Sequence, residues 1–173
     1  MLENKGDFVG AEPMLRKSLA IAEKVQGPEH LETRIPLLCL GHVLVELSRL
    51  DEGIALIKRE LAIAKNNDGE KYFRVAAGTH RQLGVILRNA QRYKESKEEF
   101  MHSLEIFESI NSRKSEEVAR VLNGLGQLEA LEGNFAEAEK MFAEALEIRR
   151  EVSPDNVEDI ENRLAAAIEG KVL

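Results

Sequence analysis

The sequence predicts an all-α chain of repeated helix pairs, and three observations predict it: the residue usage, a period of 42 to 43 residues, and two different apolar segments in each period. Ala, Leu, Glu, Lys and Arg dominate the 173 residues, against only 4 Pro and no Trp. These five residue types lose little side-chain freedom in a helix and do not compete for its backbone hydrogen bonds. A hydrophobic share of 43% beside 32% charged residues fits an ordered soluble protein better than a disordered chain. No segment alternates over enough residues to argue for a strand.

The period is visible when Gly6-Asp7-Phe8, Ser48-Arg49-Leu50, Gln91-Arg92-Tyr93 and Gly133-Asn134-Phe135 are aligned, because the anchors Phe8, Leu50, Tyr93 and Phe135 then lie 42, 43 and 42 residues apart. Leu15, Ile57, Phe100 and Phe142 follow the anchors by seven residues, then Leu19, Leu61, Leu104 and Leu146, then Ile21, Ile63, Ile106 and Ile148. That spacing draws one apolar stripe along a helix, here termed helix B. Upstream of three anchors, Leu40-Gly41, Leu83-Gly84 and Leu125-Gly126 mark a second helix, helix A. A helical Gly costs about 1 kcal/mol relative to Ala. Three at one register therefore predict a compensating close contact with helix B, whose facing positions Ala11, Gly53, Ser96 and Ala138 are small.

Between the pairs, Gln26-Gly27-Pro28 and Ser153-Pro154-Asp155 are expected to stop one helix and start the next, since Pro fits a first helical turn. Asn66-Asn67-Asp68-Gly69 and Asn111-Ser112 break helices by turn chemistry. The register gives one repeat domain over 1–173: a partial first repeat at 1–31 that is mainly helix B, repeats at 32–73, 74–115 and 116–153, and a half repeat or capping helix at 154–173. Helix A of the last unit is expected over Asp155 to Gly170, with Leu164, Ala167 and Ile168 as its apolar positions. On this reading the chain begins and ends in half repeats. It is then a fragment of a longer array or it associates through those ends, in which case only a closing arrangement avoids filaments.

Leu-Gly in helix A, an aromatic at the turn, Ala near the start of helix B, a large apolar residue and then Ala-Leu together resemble the tetratricopeptide repeat. Leu125-Gly126, Phe135, Ala138, Phe142 and Ala145-Leu146 carry the resemblance best. The period exceeds the about 34 residues of the standard repeat and is similar to that of kinesin light chains, as is the stretch from Gly10 to Ile21 followed by Gly27-Pro28-Glu29-His30. Departures occur at Leu37, His80 and Leu122, where helix A usually has an aromatic, and at Glu60, which replaces a usual Ala. The resemblance implies a right-handed solenoid of antiparallel helix pairs, a tetratricopeptide-like superhelix with about three full repeats and a half repeat at each end. It also implies a non-catalytic scaffold or adaptor for a protein or peptide.

Nothing in the sequence points to chemistry. His30, His42, His80 and His102 lie in different units without a His-x-x-x-His pair, so neither a metal nor another cofactor is expected. Gly124-Leu125-Gly126 lacks the third Gly, the Lys-Ser/Thr ending and the preceding strand of a nucleotide loop. Glu98-Glu99, Glu116-Glu117 and Glu137/Glu139 lie among Lys and Arg and read as solvated helix faces. Cys39, the single cysteine, has no disulfide or zinc partner and reads as a buried, inert thiol in an apolar helix. A net charge of −7 disfavours nucleic acid, whose binding needs a basic surface. No apolar run approaches the roughly 20 residues of a membrane span, and no signal peptide opens the chain, so the expected location is cytoplasmic.

In the resembling family helix A lines the concave face, so its non-core positions are implied to meet the ligand. By register these are Leu38, Cys39, His42 and Glu46 in the second repeat, Arg81, Gln82, Val85, Arg88 and Asn89 in the third, and Arg120, Asn123 and Gln127 in the fourth. Arg offers carboxylates a planar fork, and Asn and Gln match an extended backbone. The expected ligand is a peptide with acidic and apolar residues. Against it stands the alternative that these Arg residues merely pair with neighbouring Glu. A regulatory sensor or effector subunit, its array part of a larger signalling protein or self-associating, is the other functional reading.

Overall fold

A computed structural model describes residues 7–67, 70–110, 113–154 and 157–172. Among them lie eight α-helices and one short 3-10 helix: α1 (Phe8–Gln26), the 3-10 turn (Leu31–Thr33), α2 (Arg34–Glu46), α3 (Leu50–Asn67), α4 (Glu70–Asn89), α5 (Tyr93–Ile110), α6 (Glu116–Leu131), α7 (Phe135–Val152) and α8 (Glu158–Ile168). The chain divides into two compact units, Met1–Ala76 and Ala77–Leu173. The fold is all-α as the sequence predicts, and α1, α3, α5 and α7 each begin on one of the four anchors.

A recurring turn explains why helix B starts there. Ser48, Gln91 and Gly133, each two residues before its anchor, take φ of 63°, 60° and 81°. The left-handed residue reverses the chain and lets the next amide reach back to satisfy the helix end: Arg49 N–H donates to Leu44 O at 2.8 Å, Arg92 N–H to Leu87 O at 2.9 Å and Asn134 N–H to Glu129 O at 2.8 Å. Gly170 repeats the turn after α8, with φ of 68° and a 2.8 Å bond from Lys171 N–H to Ala166 O.

The helix A glycines are held by close contact, in two different ways. A Cβ on Gly53 would lie 2.6 Å from Gly41 O, so α2 and α3 meet backbone to backbone. In the second unit the neighbour is an aromatic ring. A Cβ on Gly84 would lie 2.8 Å from the Phe100 ring, one on Gly124 2.7 Å from the same ring, and one on Gly126 2.7 Å from Phe142. Phe100 and Phe142 are both fully buried, each seated where a glycine leaves room. The nearby Ser96 is buried without loss because its hydroxyl donates to Gly84 O at 2.7 Å.

Position 60 of the register carries Glu60, Ser103 and Ala145 in successive repeats, facing positions that carry Arg34, Ala77 and Ala119. Glu60 is 1% exposed and accepts from Arg34 Nε at 2.8 Å. Ser103 is buried and donates its hydroxyl to Ala77 O at 2.7 Å. Ala119 and Ala145 both belong to the apolar core of the second unit.

Several expectations need correction. Cys39 is exposed, because α2 buries Leu37, Leu40, Gly41, Val43 and Leu44 and turns position 39 outward. Glu98 is solvated but Glu99 is buried, its carboxylate 2.7 Å from His80 Nδ1. Pro28 and Pro154 lie between helices rather than inside a first turn; α1 is closed by Gly27 at φ 99° and α7 by Ser153. Ile21 is 54% exposed although its counterparts Ile63 and Ile148 are each 3% exposed, so the apolar stripe of α1 is only partly covered. Helix α8 runs from Glu158, and the expected start at Asp155 lies outside the described residues, as do Met1 to Gly6, Asp68-Gly69 and Asn111-Ser112.

Candidate functional site

The predicted site residues fall on α2 in the first unit and on α4 and α6 in the second. On α2, Leu38 and His42 are half-buried while Cys39 and Glu46 are exposed. On α4, Arg81, Gln82, Val85 and Arg88 are half-buried and Asn89 is exposed. Val85 packs against the core of its unit, which leaves only part of it for a ligand. On α6, Arg120 is exposed and Asn123 and Gln127 are half-buried. On α4 the pairs Arg81/Arg88 and Gln82/Asn89 repeat at i, i+7, and on α6 Arg120, Asn123 and Gln127 follow i, i+3, i+7, spacings that keep each set on one face.

In the second unit several of these side chains join separate small sets of hydrogen bonds. Arg88 donates Nη1 to Gln127 Oε1 at 2.7 Å, linking α4 to α6, and Nη2 to Asn89 Oδ1 at 3.3 Å. Arg163 of α8 donates Nη1 to Asn123 Oδ1 at 3.2 Å and to Asp159 Oδ2 at 2.5 Å. Arg120 meets Glu116 at 3.1 Å, but the same carboxylate also lies 2.9 Å from Arg149. Arg81 makes no hydrogen bond or ion pair among the described residues, and Arg88 meets only amide oxygens.

The charge balance of this face is thus lopsided. Burial first, and then the nearby Arg120 guanidinium, pull Arg81 below the ordinary arginine pKa; burial and then Arg163 do the same to Arg88. Both remain cations, since arginine keeps its proton at any ordinary pH. The shifts express a cost: two partly desolvated positive charges repel their neighbours and lack a carboxylate to offset them. A carboxylate brought to this face relieves that cost. By contrast His80, also on α4, is occupied by Glu99 at 2.7 Å and stacks near His102 with ring centroids 5.4 Å apart.

Arg163 was not among the residues singled out by sequence. Its register matches Val121, a buried core position, so counting along the repeat turns it inward. The available sign was the residue type itself, a guanidinium where the full repeats carry Pro36, Thr79 and Val121. Buried Glu129 was missed as well; it accepts from Lys97 Nζ and from Asn134 Nδ2 at 2.8 Å and ties α5 to the end of α6. Among the described residues no group of three or more His, Cys, Asp or Glu is placed to hold a metal ion, and no helix is long and apolar enough to cross a membrane.

Family models described as tetratricopeptide repeat match residues 74–151 and 1–32. No curated protein sequence matches the chain. Among solved structures, the chain is similar to BtubC (BKLC) from P. vanneervenii, with a TM-score of 0.81 and 22% identity over 97% of this chain and 68% of that one. It is also similar to a Podosopora anserina protein described as a kinesin light chain with nearly identical TPR-like repeats, with a TM-score of 0.77 and 15% identity over 96% of this chain and 80% of that one. At these identities the likeness is one of fold, and it is the fold expected from the repeat register.

Proposed function

We propose that this chain, which belongs to the tetratricopeptide repeat family, is a protein-interaction scaffold that receives an acidic, partly apolar peptide segment of its partner on the helix A face of its second unit. The observation that carries the reading is the state of Arg81 and Arg88. Both are half-buried cations, one with no partner among the described residues and one held only by amides. A helix face built for solubility alone would pair its arginines with nearby glutamates, as Arg16, Arg49 and Arg59 do in the first unit.

On this reading Arg81 and Arg88 engage carboxylates of the ligand, while Gln82, Asn89, Asn123 and Gln127 bond its backbone. Charged hydrogen bonds of this type are about twice as strong as neutral ones. Leu38, His42 and Glu46 of α2 are a separate candidate surface within the first unit. The test is the affinity of Arg81→Glu and Arg88→Glu for a partner recovered by pull-down with the chain. Charge reversal is expected to weaken binding by more than about tenfold, in line with the loss of one desolvated charge contact. Unchanged affinity in both variants contradicts the groove reading.

A second reading, self-association, is favoured by one observation. On and beside α1, Ile21, Val25 and Ile35 are 54%, 68% and 75% exposed and form an apolar patch with Pro36. Sedimentation across a concentration series separates the two: assembly that disappears in Ile21→Ser/Ile35→Ser supports it, and a monomer at high concentration removes it.

A further inference from the structure

Helix α1 differs from the other helices B in leaving bare the face that helix A covers elsewhere. Its described contacts run to α2 and the 3-10 turn and, through the Arg16–Glu52 and Glu23–Arg59 ion pairs, to α3. Away from these neighbours Met14, Ser18, Ile21 and Val25 face solvent, with Met14, Ile21 and Val25 at 74%, 54% and 68% exposure. The counterparts of Ser18 in the later repeats are Glu60, Ser103 and Ala145, all buried against helix A. The four exposed residues are spaced 4, 3 and 4 apart, the spacing of the a and d positions with which one helix packs along another in a coiled coil.

A second copy of the chain offers this stripe two helices, and side-chain volume chooses between them. Helix A of each full repeat presents a glycine to its helix B: a Cβ on Gly41, Gly84 or Gly126 would lie 2.7 to 2.8 Å from Ile57, Phe100 or Phe142. Helix α8 carries Ile168 at that register, so a branched side chain stands where the pairing leaves room for none. That leaves α1 itself. The flanks of the stripe then set the direction. At 100° per residue Lys17 and Lys24 fall on the flank away from α2, while Glu32 lines the groove beside Val25 and Ile35 on the α2 side. All three charged residues are exposed, and none forms an ion pair among the described residues. In a two-fold pair with parallel α1 helices the lysine flank of each copy meets the glutamate flank of the other. In an antiparallel pair lysine meets lysine and glutamate meets glutamate, which is unfavourable.

We infer that α1 is a homodimer contact: it packs in parallel against α1 of a second copy through Met14, Ser18, Ile21 and Val25, and Lys24 of each copy reaches Glu32 of the other. The aliphatic stem of Lys24 then covers Ile35, which is 75% exposed in the single chain. Such a pair is closed by its two-fold axis and builds no filament. The inference rests on the self-association reading of the proposed function and gives it a seam and a direction.

The test is sedimentation of the full chain across a concentration series, with circular dichroism verifying the fold of each variant. The wild-type chain should form a dimer and nothing larger. Lys24→Glu and Glu32→Lys should each weaken it about tenfold, because two exposed ion pairs are replaced by two like-charge contacts, and Lys24→Glu/Glu32→Lys should restore it. Ser18→Leu should tighten the dimer by a similar factor, since it adds an apolar residue to the seam. Ser18→Cys in a Cys39→Ser chain should cross-link under mild oxidation, because a parallel pair sets residue 18 against residue 18, whereas an antiparallel pair that joins all four residues sets it against Ile21. A dimer that is indifferent to both charge reversals, or that does not cross-link through position 18, overturns the inference and leaves self-association standing. Species that grow beyond a dimer overturn the closed pair. A monomer at the highest concentration reached overturns the inference and the self-association reading together, and leaves the peptide face untouched.

Discussion

The second and fourth repeats solve the same packing problem with opposite chemistry. Where helix A faces helix B, the fourth repeat places Ala119 and Ala145 in an apolar core, and the second places Arg34 and Glu60. The Arg34 and Glu60 side chains are only 14% and 2% exposed, yet the helix pair closes around them. A repeat fold thus tolerates a charge at a core register if the facing helix supplies its counter-charge there. The second unit shows the converse on its outer strip, where Arg81 and Arg88 are half-buried without carboxylates. An arginine that the fold needs is paired by the fold. One that stands on a face without a carboxylate is the one to which the proposed function assigns a ligand.

The sharpest way to break that comparison is to remove one member of the buried pair. Glu60→Ala should destabilise the chain by about 3 kcal/mol, because it strands a largely buried guanidinium. Arg34→Ala/Glu60→Ala, which recreates the alanine pairing of the fourth repeat, should recover most of that loss. Urea denaturation of the two single variants and the double variant measures both; a double variant as unstable as Glu60→Ala would mean that the ion pair contributes more than mutual neutralisation.

Next in size is the glycine contact. Gly53→Ala should cost about 1 to 3 kcal/mol, since its Cβ would meet the Gly41 carbonyl oxygen at 2.6 Å and backbone yields little. Gly78→Ala, with nothing within 4 Å of the new methyl, should instead gain close to 1 kcal/mol of helix propensity. Opposite signs in thermal unfolding are the expected outcome. Smaller still, Gln91→Gly and Ser48→Gly should each raise stability by about 1 kcal/mol by relieving a left-handed conformation that disfavours side chains.

Most of this architecture was legible in the sequence, because a helix pair repeated at a fixed period reports its own core. The anchors, the glycine register and the apolar stripes of helix B follow from spacing alone. What spacing could not report is pairing. Glu99 reads as a surface residue and Glu129 gives no sign at all, until folding brings His80 to the one and Lys97 to the other. Cys39 misled in the opposite sense, since its apolar neighbours suggested burial on a helix whose core face passes it by. On the candidate site, register singles out the α4 and α6 residues but not Arg163, whose position is buried as Thr79 and Val121 in the third and fourth repeats.

The smallest predicted effect concerns pH. Burial alone would raise the pKa of Glu129, but the hydrogen bonds from Lys97 and Asn134 outweigh it and hold the carboxyl below its ordinary value. A lowered pKa in the folded state means that this contribution is complete above the ordinary glutamate value of about 4.3 and is lost as pH falls through the lower folded value. Stability should therefore fall below about pH 4, and Glu129→Gln should flatten part of that fall. An unchanged acid limb, read from urea midpoints between pH 3 and 6, would assign the acid sensitivity to other carboxylates.

The central claim, that the unpaired arginines of the second unit are the binding surface, is tested most directly by nuclear magnetic resonance. An isotope-labelled chain is titrated with the acidic segment of the recovered partner. The account predicts that the largest shifts fall on Arg81 and Arg88 and on the amides of α4 and α6 around them, and that they vanish in Arg81→Glu/Arg88→Glu. Shifts confined to α5 and α7, or undiminished in that variant, would contradict it.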